Sequence, residues 1–548
     1  MKKVFFAMAL MVTTSLHAQI LNVNNNDGTY LPLNTQNIKE ITFNESKKIV
    51  TLATGNGAEH FFYTDKVESL SAQTNKTTEL KYNLSPTVAF NSNDKKNFNE
   101  ITETIPNNKE EDENYGDYVE NFSITYNVNI VFSENDVTVS GYDIDYTKNG
   151  AHLTINSNLG KVGYTVSGKS SNGSLKIYSE KKFQIMLSGL SLTNPSGPAI
   201  NIQTGKTVYF TIDDNTTNHL CDGATYKAPV VSNDKTEDQK GTLFSEGQLI
   251  INGYETGTGT LNVTSKGGHG ICSDDYIIVR SGNINILSAA KDGFHTNDKF
   301  IVNRTAKASP NITVEATADG IDCGKGEVII NAGKLELTTG GEAIKVEYEE
   351  AEPDPTVTPN ATINGGYIKF TTTGNKSSGI KTTGEFKQTG GIIEGTVKGN
   401  GSKILNCDKN ITILGGKITG FAEGTVLDNN TSAGGIKCEG RINVTAGTIA
   451  IACSGKGAKG INCDNINFTG GTTTIIANTT NFNNDYKSIA IDSETLIIAK
   501  GNIILSAYEH AVSATNTSLF NGSLHAISKN GTALNSEIKQ TGGWLLTK

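Results

Sequence analysis

The sequence GGHGICSDDYIIVRSGNINILSAAKDGFHTNDKFIVN, which runs from Gly267 to Asn303, contains one pattern twice. Each copy has Gly, a large apolar residue (Ile271, then Phe294), a few polar residues and a short apolar run. Such an echo is typical of a repeating scaffold. The GHG at 268–270 and the paired Asp274-Asp275 would also fit an active site. The rest of the chain favours the scaffold.

The pattern recurs through the second half of the chain. Its apolar anchor residue, which follows a small residue, is found at Phe244, Ile271, Phe294, Ile321, Ile344, Ile380, Ile404, Ile436, Ile461, Ala490 and Val512. Segments such as EVIINAGKLELTT and NITILGGKITGF then alternate apolar and polar residues around a Gly turn. Period-two alternation predicts half-buried strands, and Gly predicts the corners between them. Short strands repeated at this interval, without helical periodicity, predict an all-β fold whose coils stack as a β-solenoid.

The chain divides into four predicted segments. Residues 1–18 have Lys2 and Lys3, an apolar run and small residues up to Ala18, which predicts an export signal. Residues 19–75 form a predicted small β module of unassigned role, 76–130 a charged linker or cap, and 131–548 the solenoid. The mature chain is therefore expected in the periplasm, at the cell surface or outside the cell. No later stretch reaches the ~18 apolar residues of a spanning helix.

Composition narrows the possible partners. The chain has 58 Gly, 10 Pro and a net charge of −9. That charge is spread thinly along the sequence, which argues against a nucleic-acid binder.

Seven cysteines would allow disulfides, but Cys323, Cys438 and Cys463 each lie two residues after an anchor. This placement favours stacked, reduced core thiols over bridges or metal ligands.

A longer series of phrases carries a family resemblance. Between about residues 163 and 346 the order GYTVSGKSSNGSLKI, IMLSGLSLTNPSGPAINI, TVYFTIDDNTTNHLCDG, GTLFSEGQLIINGYETGTGTLNV, KDGFHTNDKFIV and ADGIDCGKGEVIINAGKLEL resembles carbohydrate-binding domain proteins with a clostridial pectin-binding member. The resemblance implies a right-handed parallel β-helix that binds acidic polysaccharide, with calcium at acidic positions and no catalysis. The family's DGI phrase is matched at 292–294 and 319–321, whereas His269 and Glu342 depart from it.

Stacking would bring acidic residues together. Equivalent positions of successive coils lie about 4.8 Å apart. The position two residues before each anchor is occupied in turn by His269, Asp292, Asp319 and Glu342. Neighbouring acids at that spacing repel unless cations or hydrogen-bond donors lie between them. Calcium is one solution, with Asp292, Asp319, Asp322 and Glu342 as ligands. Local capping of Gly turns by short acids is the other.

The position after each anchor predicts a second column on the same edge. It contains Cys272, His295, Asp322, Lys345, Lys381, Leu405, Lys437 and Asn462. His295, Lys345, Lys381 and Lys437 are the predicted carbohydrate-binding residues, because a row of cations suits a polyanion such as polygalacturonate. The alternative is that these charges only keep the solenoid surface soluble.

Two other functions stay open at this stage. A β-helix lyase or hydrolase acting on pectin would share the fold, and a calcium-dependent lyase needs a base such as Arg. The three arginines, Arg280, Arg304 and Arg441, lie in no recognisable lyase phrase. A surface adhesin is the third possibility. The sequence favours an exported, non-catalytic binder of acidic, pectin-like polysaccharide that uses calcium.

Overall fold

The computed structural model describes residues 20–25, 30–34, 38–44, 49–54, 59–63, 67–73, 100–105, 113–232, 235–348, 354, 356–428 and 431–547. The predicted export signal, residues 1–18, lies outside them. Within the described ranges, no helix has both the length and the apolar character needed to cross a membrane.

Six strands form the N-terminal region. They are β1 (Ile20–Asn25), β2 (Tyr30–Asn34), β3 (Ile38–Asn44), β4 (Ile49–Thr54), β5 (Glu59–Tyr63) and β6 (Val67–Gln73). Strands β2, β1 and β6 make one antiparallel sheet, and β3, β4 and β5 make another. Both sheets fall within the predicted small β module.

In the described part of the remainder, the elements are strands and two 3₁₀ helices, Glu113–Asp117 and Val119–Asn121. The first strands are β7 (Tyr126–Phe132), β8 (Val137–Gly141), β9 (Tyr146–Asn149), β10 (Ala151–Ser157), β11 (Val162–Ser170), β12 (Gly173–Ser179), β13 (Phe183–Thr193), β14 (Ile200–Gln203), β15 (Val208–Ile212), β16 (Thr217–Cys221), β17 (Val231–Ser232) and β18 (Lys235–Thr236). The next are β19 (Gly241–Ser245), β20 (Leu249–Gly253), β21 (Thr260–Thr264), β22 (His269–Ser273), β23 (Tyr276–Val279), β24 (Gly282–Ala289), β25 (Phe294–Thr296), β26 (Lys299–Val302), β27 (Pro310–Ala316), β28 (Ile321–Cys323), β29 (Glu327–Ile330), β30 (Lys334–Thr339), β31 (Ile344–Val346), β32 (Ala361–Ile363) and β33 (Tyr367–Thr372). The last are β34 (Ile380–Thr382), β35 (Phe386–Gln388), β36 (Ile392–Val397), β37 (Lys403–Cys407), β38 (Ile411–Ile413), β39 (Lys417–Ala422), β40 (Gly434–Cys438), β41 (Arg441–Val444), β42 (Thr448–Cys453), β43 (Lys459–Asn462), β44 (Asn465–Ala477), β45 (Ile489–Ala507), β46 (His510–Leu519), β47 (Ser523–Ser528), β48 (Leu534–Gln540) and β49 (Trp544–Thr547).

From β19 to β41 each strand pairs in parallel with the third strand after it, so three strands make one coil. The first sheet contains β19, β22, β25, β28, β31, β34, β37 and β40. The second sheet contains β20, β23, β26, β29, β32, β35, β38 and β41. The third contains β21, β24, β27, β30, β33, β36, β39 and β42. The chain is all-β, as predicted, and its long set of linked strands is consistent with a β-solenoid.

Aliphatic side chains fill the interior in continuous columns. On the third sheet, one buried column passes through Leu261, Ile284, Ile312, Leu335, Ile368, Ile393, Ile418 and Ile449. Alternation along each strand buries every second side chain in this core. At about 25 cal/mol per Å² of apolar surface, such columns supply the main stabilising term.

Most anchor residues stack as predicted. Ile271, Phe294, Ile321 and Ile344 are in register on successive strands of the first sheet, and each is at most 1% exposed. Three anchors were wrong by one residue. The residues in the column are Leu243, Leu405 and Ile491 rather than Phe244, Ile404 and Ala490. In each case two buried apolar side chains are adjacent, so the sequence pattern could not distinguish them.

An acidic segment lies across the second sheet. We call residues 100–105 and 113–122 the strap. Its Val119 and Phe122 pack against a cluster formed by Tyr209, Ile250 and Ile278 on the outer face of that sheet. The strap belongs to the segment predicted as a linker or cap, and the first strand of the stack, β7, starts at Tyr126. The predicted domain boundaries stay predictions.

The cysteines are free thiols, and all except Cys221 are buried. Cys407 and Cys438 are in register on neighbouring strands of the first sheet. Cys438 also lies within hydrogen-bond reach of Cys463 on the next coil. The predicted stacking of reduced core thiols agrees with this arrangement.

Candidate functional site

The acidic residues of the sequence converge at the start of four strands of the first sheet, β22, β25, β28 and β31. Each strand follows a turn whose backbone is bonded to the turn of the next coil. The amide of Gly270 donates to Asp292 O at 2.9 Å, Gly293 N to Asp319 O at 2.8 Å, and Gly320 N to Glu342 O at 2.9 Å. These bonds fix the spacing of the turns. Gly293 has no room for a side chain, because an added Cβ would lie 2.7 Å from Gly320 O.

The acids cap the turns of the following coil. Asp292 Oδ1 accepts a hydrogen bond from Asp319 N at 2.9 Å, and Asp319 Oδ1 accepts one from Glu342 N at 2.7 Å. The turn-capping interpretation expected bonds to local amides, whereas one oxygen of each carboxylate caps an amide of the following coil. One oxygen from each of Asp292, Asp319 and Asp322 lies within 4.8 Å of the other two. Capping and cation binding are thus compatible at this cluster.

Asp322 connects the acids with the second column. It is in register with His295 on one side and Lys345 on the other. Asp322 Oδ2 lies 3.0 Å from His295 Nδ1, and Oδ1 lies 3.5 Å from Lys345 Nζ. Asp322 is only 5% exposed, and its Oδ1 has no hydrogen-bond partner among the described residues. The Lys345 ammonium offsets part of the cost of burying this oxygen, which can still accept a further ligand.

The carboxyl groups strongly perturb one another. Burial, followed by the charges of Glu342, Asp292 and Asp322, raises the pKa of Asp319 to about 8. Burial alone would raise the pKa of Asp292, but hydrogen bonds from His269 and His295 hold that pKa well below its usual range. Four carboxyl groups and two imidazoles therefore perturb one another at this cluster.

The two histidines respond in opposite directions. Burial lowers the pKa of His269 below its usual value. Burial has the same effect on His295, but the carboxylates of Asp292 and Asp322 outweigh it and raise the pKa of His295 to about 9. The His295 ring is thus held between two carboxylates.

The predicted lysines continue the column, but each has an acidic partner. Lys345 and Lys381 are in register, and Lys381 Nζ lies 2.7 Å from Glu347 Oε2. Lys437 Nζ lies 2.8 Å from Glu439 Oε1, two coils further along. Glu347 and Glu439 each follow a lysine by two residues, and alternate residues of a strand share a face. That spacing was the available sequence signal for these partners.

One position of the predicted column was wrong. Asn406, not Leu405, lies between Lys381 and Lys437, because Leu405 is the buried anchor. The structure brings Asp292, Asp319, Asp322, Glu342, His295 and Lys345 together. Lys381 joins them through Glu347, and Lys437 stands apart.

A buried lysine was missed by sequence reasoning. Lys403 on β37 is 8% exposed, and its Nζ donates to Gly401 O at 2.8 Å. Burial, followed by the charges of Lys437 and Lys376, lowers the pKa of Lys403 to about 8. Lys403, Lys437 and Lys376 therefore form a positive group. The misplaced anchor at Ile404 had put Lys403 outside both predicted columns.

An open polar pocket lies close to Lys437. Its volume is about 450 Å³, and it is lined by Glu385, Asn410, Thr412, Glu439, Gly440, Arg441, Asn443 and Asn465. Asn410 Nδ2 donates to Glu385 Oε1 at 3.0 Å, and Asn410 Oδ1 accepts from Arg441 N at 3.1 Å. Amide, hydroxyl and charged groups of this kind suit the hydroxyls of a sugar. None of these residues was predicted from the sequence to bind carbohydrate, and Arg441 was considered only as a lyase base.

The strap covers the other two arginines. Arg280 is fully buried, and its Nη1 lies 2.7 Å from Glu120 Oε2 while its Nε donates to Glu103 Oε1 at 2.6 Å. Arg304 Nη1 lies 2.7 Å from Glu100 Oε2. Arg280 and Arg304 are therefore held in ion pairs with strap residues, away from the acid cluster.

Stacked coils carrying polar and charged columns define an all-β protein with an extended polar face. The chain belongs to the family of carbohydrate-binding domain-containing proteins, whose family model matches residues 149–481. This match confirms the resemblance noted in the sequence, and it indicates a function related to polysaccharide.

One solved structure is similar over part of the chain. It is titled "Structure of the polysaccharide lyase-like protein from C. thermocellum, Gadolinium derivative". The two chains are 22% identical, with a TM-score of 0.38, and the match covers 45% of this chain and 91% of the other. Similarity at this level does not extend to activity. No curated protein matches the chain.

Proposed function

We propose that the protein is an exported, non-catalytic binder of acidic polysaccharide of the pectin type. We further propose that it is a right-handed parallel β-helix and that calcium assists binding. One observation carries the proposal: Asp292, Asp319 and Asp322 converge within 4.8 Å, and the buried Asp322 Oδ1 lacks a hydrogen-bond partner among the described residues.

The cluster fits calcium in its chemistry. Calcium takes 6 to 8 oxygen ligands, and Asp292, Asp319, Asp322 and Glu342 offer several on neighbouring coils. Bound there, calcium would supply positive charge and free coordination positions that uronate carboxylates can occupy. Asp292 and Asp319 would keep their capping bonds, because those bonds use only one oxygen of each.

The lysines would extend the contact along the polymer. Lys345 and Lys381 adjoin the acid cluster, and Lys437 lies near the buried Lys403. Carboxylates of a uronate polymer can replace Glu347 and Glu439 as the ionic partners of the lysines. Each lysine then contributes little to the binding free energy, but the contribution recurs along the polymer. The polar pocket at Arg441 would then bind sugar hydroxyls beside Lys437.

Calorimetric titration of polygalacturonate into the protein tests the proposal. Titrations are run with calcium and then with chelator, and the mixtures are assayed for new reducing ends and unsaturated products. We expect calcium-dependent binding without product. The Asp292→Ala/Asp319→Ala variant should lose calcium and polymer binding together, and Asp143→Asn at an exposed site should lose neither. Unchanged binding in the double variant would refute the proposal.

A hydrolase is the second candidate, because Asp275 and Asp298 form a close carboxyl pair in which one pKa is raised. Burial, and then the charge of Asp298, raises the pKa of Asp275 to about 6. Asp275 and Asp298 are within hydrogen-bond reach. This spacing is shorter than the roughly 5 Å or more between the carboxyls of most glycosidases, so it argues against the usual two-carboxylate mechanism. Product formation that is abolished by Asp275→Asn would establish this alternative. Absence of both binding and product would favour an adhesin.

A further inference from the structure

Two histidines lie against the acid cluster where the acidic column ends. The rings of His269 and His295 are stacked, with centroids 4.4 Å apart and planes 24° apart. Both Nδ1 atoms face one oxygen of Asp292, at 3.1 Å for His269 and 3.4 Å for His295. One donor atom from each of these three residues lies within 4.8 Å of the other two. In both columns the sequence has an imidazole where the following coil has a carboxylate.

The donor atoms are spaced like the ligands of a tetrahedral ion. Metal–ligand bonds of 2.0–2.1 Å at tetrahedral angles separate adjacent ligand atoms by roughly 3.3–3.4 Å. The distances between Nδ1 and the Asp292 oxygen are 3.1 and 3.4 Å, and Asp322 Oδ2 lies 3.0 Å from His295 Nδ1. Three of the six distances among these four donor atoms are thus within a few tenths of an ångström of that spacing.

The chemistry of the donors selects the metal. Calcium prefers oxygen ligands, usually 6 to 8 of them. Imidazole nitrogen together with carboxylate suits zinc and other first-row transition metals. All four side chains are at most 20% exposed, which limits competition from solvent. We propose that His269 Nδ1, His295 Nδ1 and the carboxylates of Asp292 and Asp322 bind one transition-metal ion of the Zn²⁺ type.

Such an ion would link three successive coils. His269 is on β22, His295 on β25 and Asp322 on β28. Four protein ligands leave no position for substrate, so this is a closed, structural site. It shares Asp292 and Asp322 with the calcium cluster but does not depend on polysaccharide binding. The two ions would compete for these carboxylates, and zinc would be distinguished by its need for the histidines.

The test uses the full chain after dialysis against chelator, with Zn²⁺ or Co²⁺ alone as the probe and no polysaccharide. We expect one Zn²⁺ per chain by calorimetry, and an intense visible Co²⁺ spectrum typical of four-coordinate geometry. His269→Gln and His295→Gln should each weaken Zn²⁺ binding more than about 100-fold, beyond the 10–100-fold that outer partners contribute. The exposed His219→Gln is the matched control.

Asp319→Asn separates this proposal from the calcium site. It should weaken calcium binding and leave Zn²⁺ affinity within about threefold of the unmodified chain, because Asp319 is outside the proposed zinc ligands. Retained calcium binding in the histidine variants would show that they are folded. Zn²⁺ binding that is unchanged by both histidine variants, that is weakened equally by Asp319→Asn, or that is absent from the unmodified chain would overturn the proposal. Failure to bind polygalacturonate would affect only the proposed function.

Discussion

Replacement of Lys403 by Met should stabilise the protein at neutral pH and lose that advantage in alkali. The pKa of Lys403 falls from its usual 10.5 to about 8 in the folded state, chiefly through burial. Folding therefore disfavours the charged lysine. At about 1.4 kcal/mol for each pH unit between these values, the cost below pH 8 is roughly 3 kcal/mol.

The sign of the pH dependence follows from proton binding. Between pH 8 and 10.5 the unfolded chain binds more protons at Lys403 than the folded chain does, so stability rises with pH in this window. Below pH 8 the cost is constant. Methionine has no charge to bury, but it leaves Gly401 O without its donor, which costs about 1 kcal/mol. We expect Lys403→Met to gain about 2 kcal/mol at pH 7 and to lose that gain by pH 10.

Urea denaturation followed by circular dichroism at pH 7 and pH 10 measures the difference between variant and unmodified protein. Lys387→Met on β35 is the control, because Lys387 is exposed and the same change there should matter little at either pH. A stability difference for Lys403→Met that is the same at both pH values would refute the assigned cause, namely the buried charge.

Three further outcomes are expected. Polygalacturonate binding at pH 8 should take up a fraction of a proton, because a nearby polyanion raises the pKa of Lys403. Calorimetry in buffers of different ionisation enthalpy measures this proton uptake. Zero uptake would mean that the polymer binds away from Lys403. Arg280→Met should cost roughly 3–5 kcal/mol by leaving Glu103 buried without its cation. Limited proteolysis should then cut the strap faster, whereas an unchanged cleavage rate would mean that apolar packing alone holds it. Gly293→Ala should lower the melting temperature and weaken calcium binding, since its Cβ would press on Val314 and on the next turn, at a cost of roughly 1–3 kcal/mol. Normal calcium binding by a destabilised Gly293→Ala variant would show that the geometry of this turn does not determine calcium binding.

The sequence predicted the stack well where one apolar residue stands alone after a Gly. Phe294 and Ile321 fall in one column because each stands between Gly and a polar residue, which leaves only one possible anchor. At Ile404 and Leu405 two apolar residues compete, and the choice depends on side-chain packing, which period-two alternation does not encode. The error moved Asn406 out of its column and concealed Lys403.

Contacts between distant segments could not be predicted. Arg280 is paired with Glu103 and Glu120, more than 150 residues earlier in the chain, and the strap has no apolar periodicity to indicate where it packs. The convergence of Asp292 and Asp319 was predictable, because equal positions in stacked coils must be neighbours. The facing of His269 and His295 across Asp292 was not, since it depends on side-chain rotamers.

The stacking of coils also restricts which polymers can follow the first sheet. Charged groups held on successive strands are separated by whole multiples of about 4.8 Å. A polymer whose charge repeat is not commensurate with that spacing drifts out of phase as it lengthens. The free energy gained per added sugar should then decline beyond a certain oligomer length, and that length would measure the mismatch between the two periods.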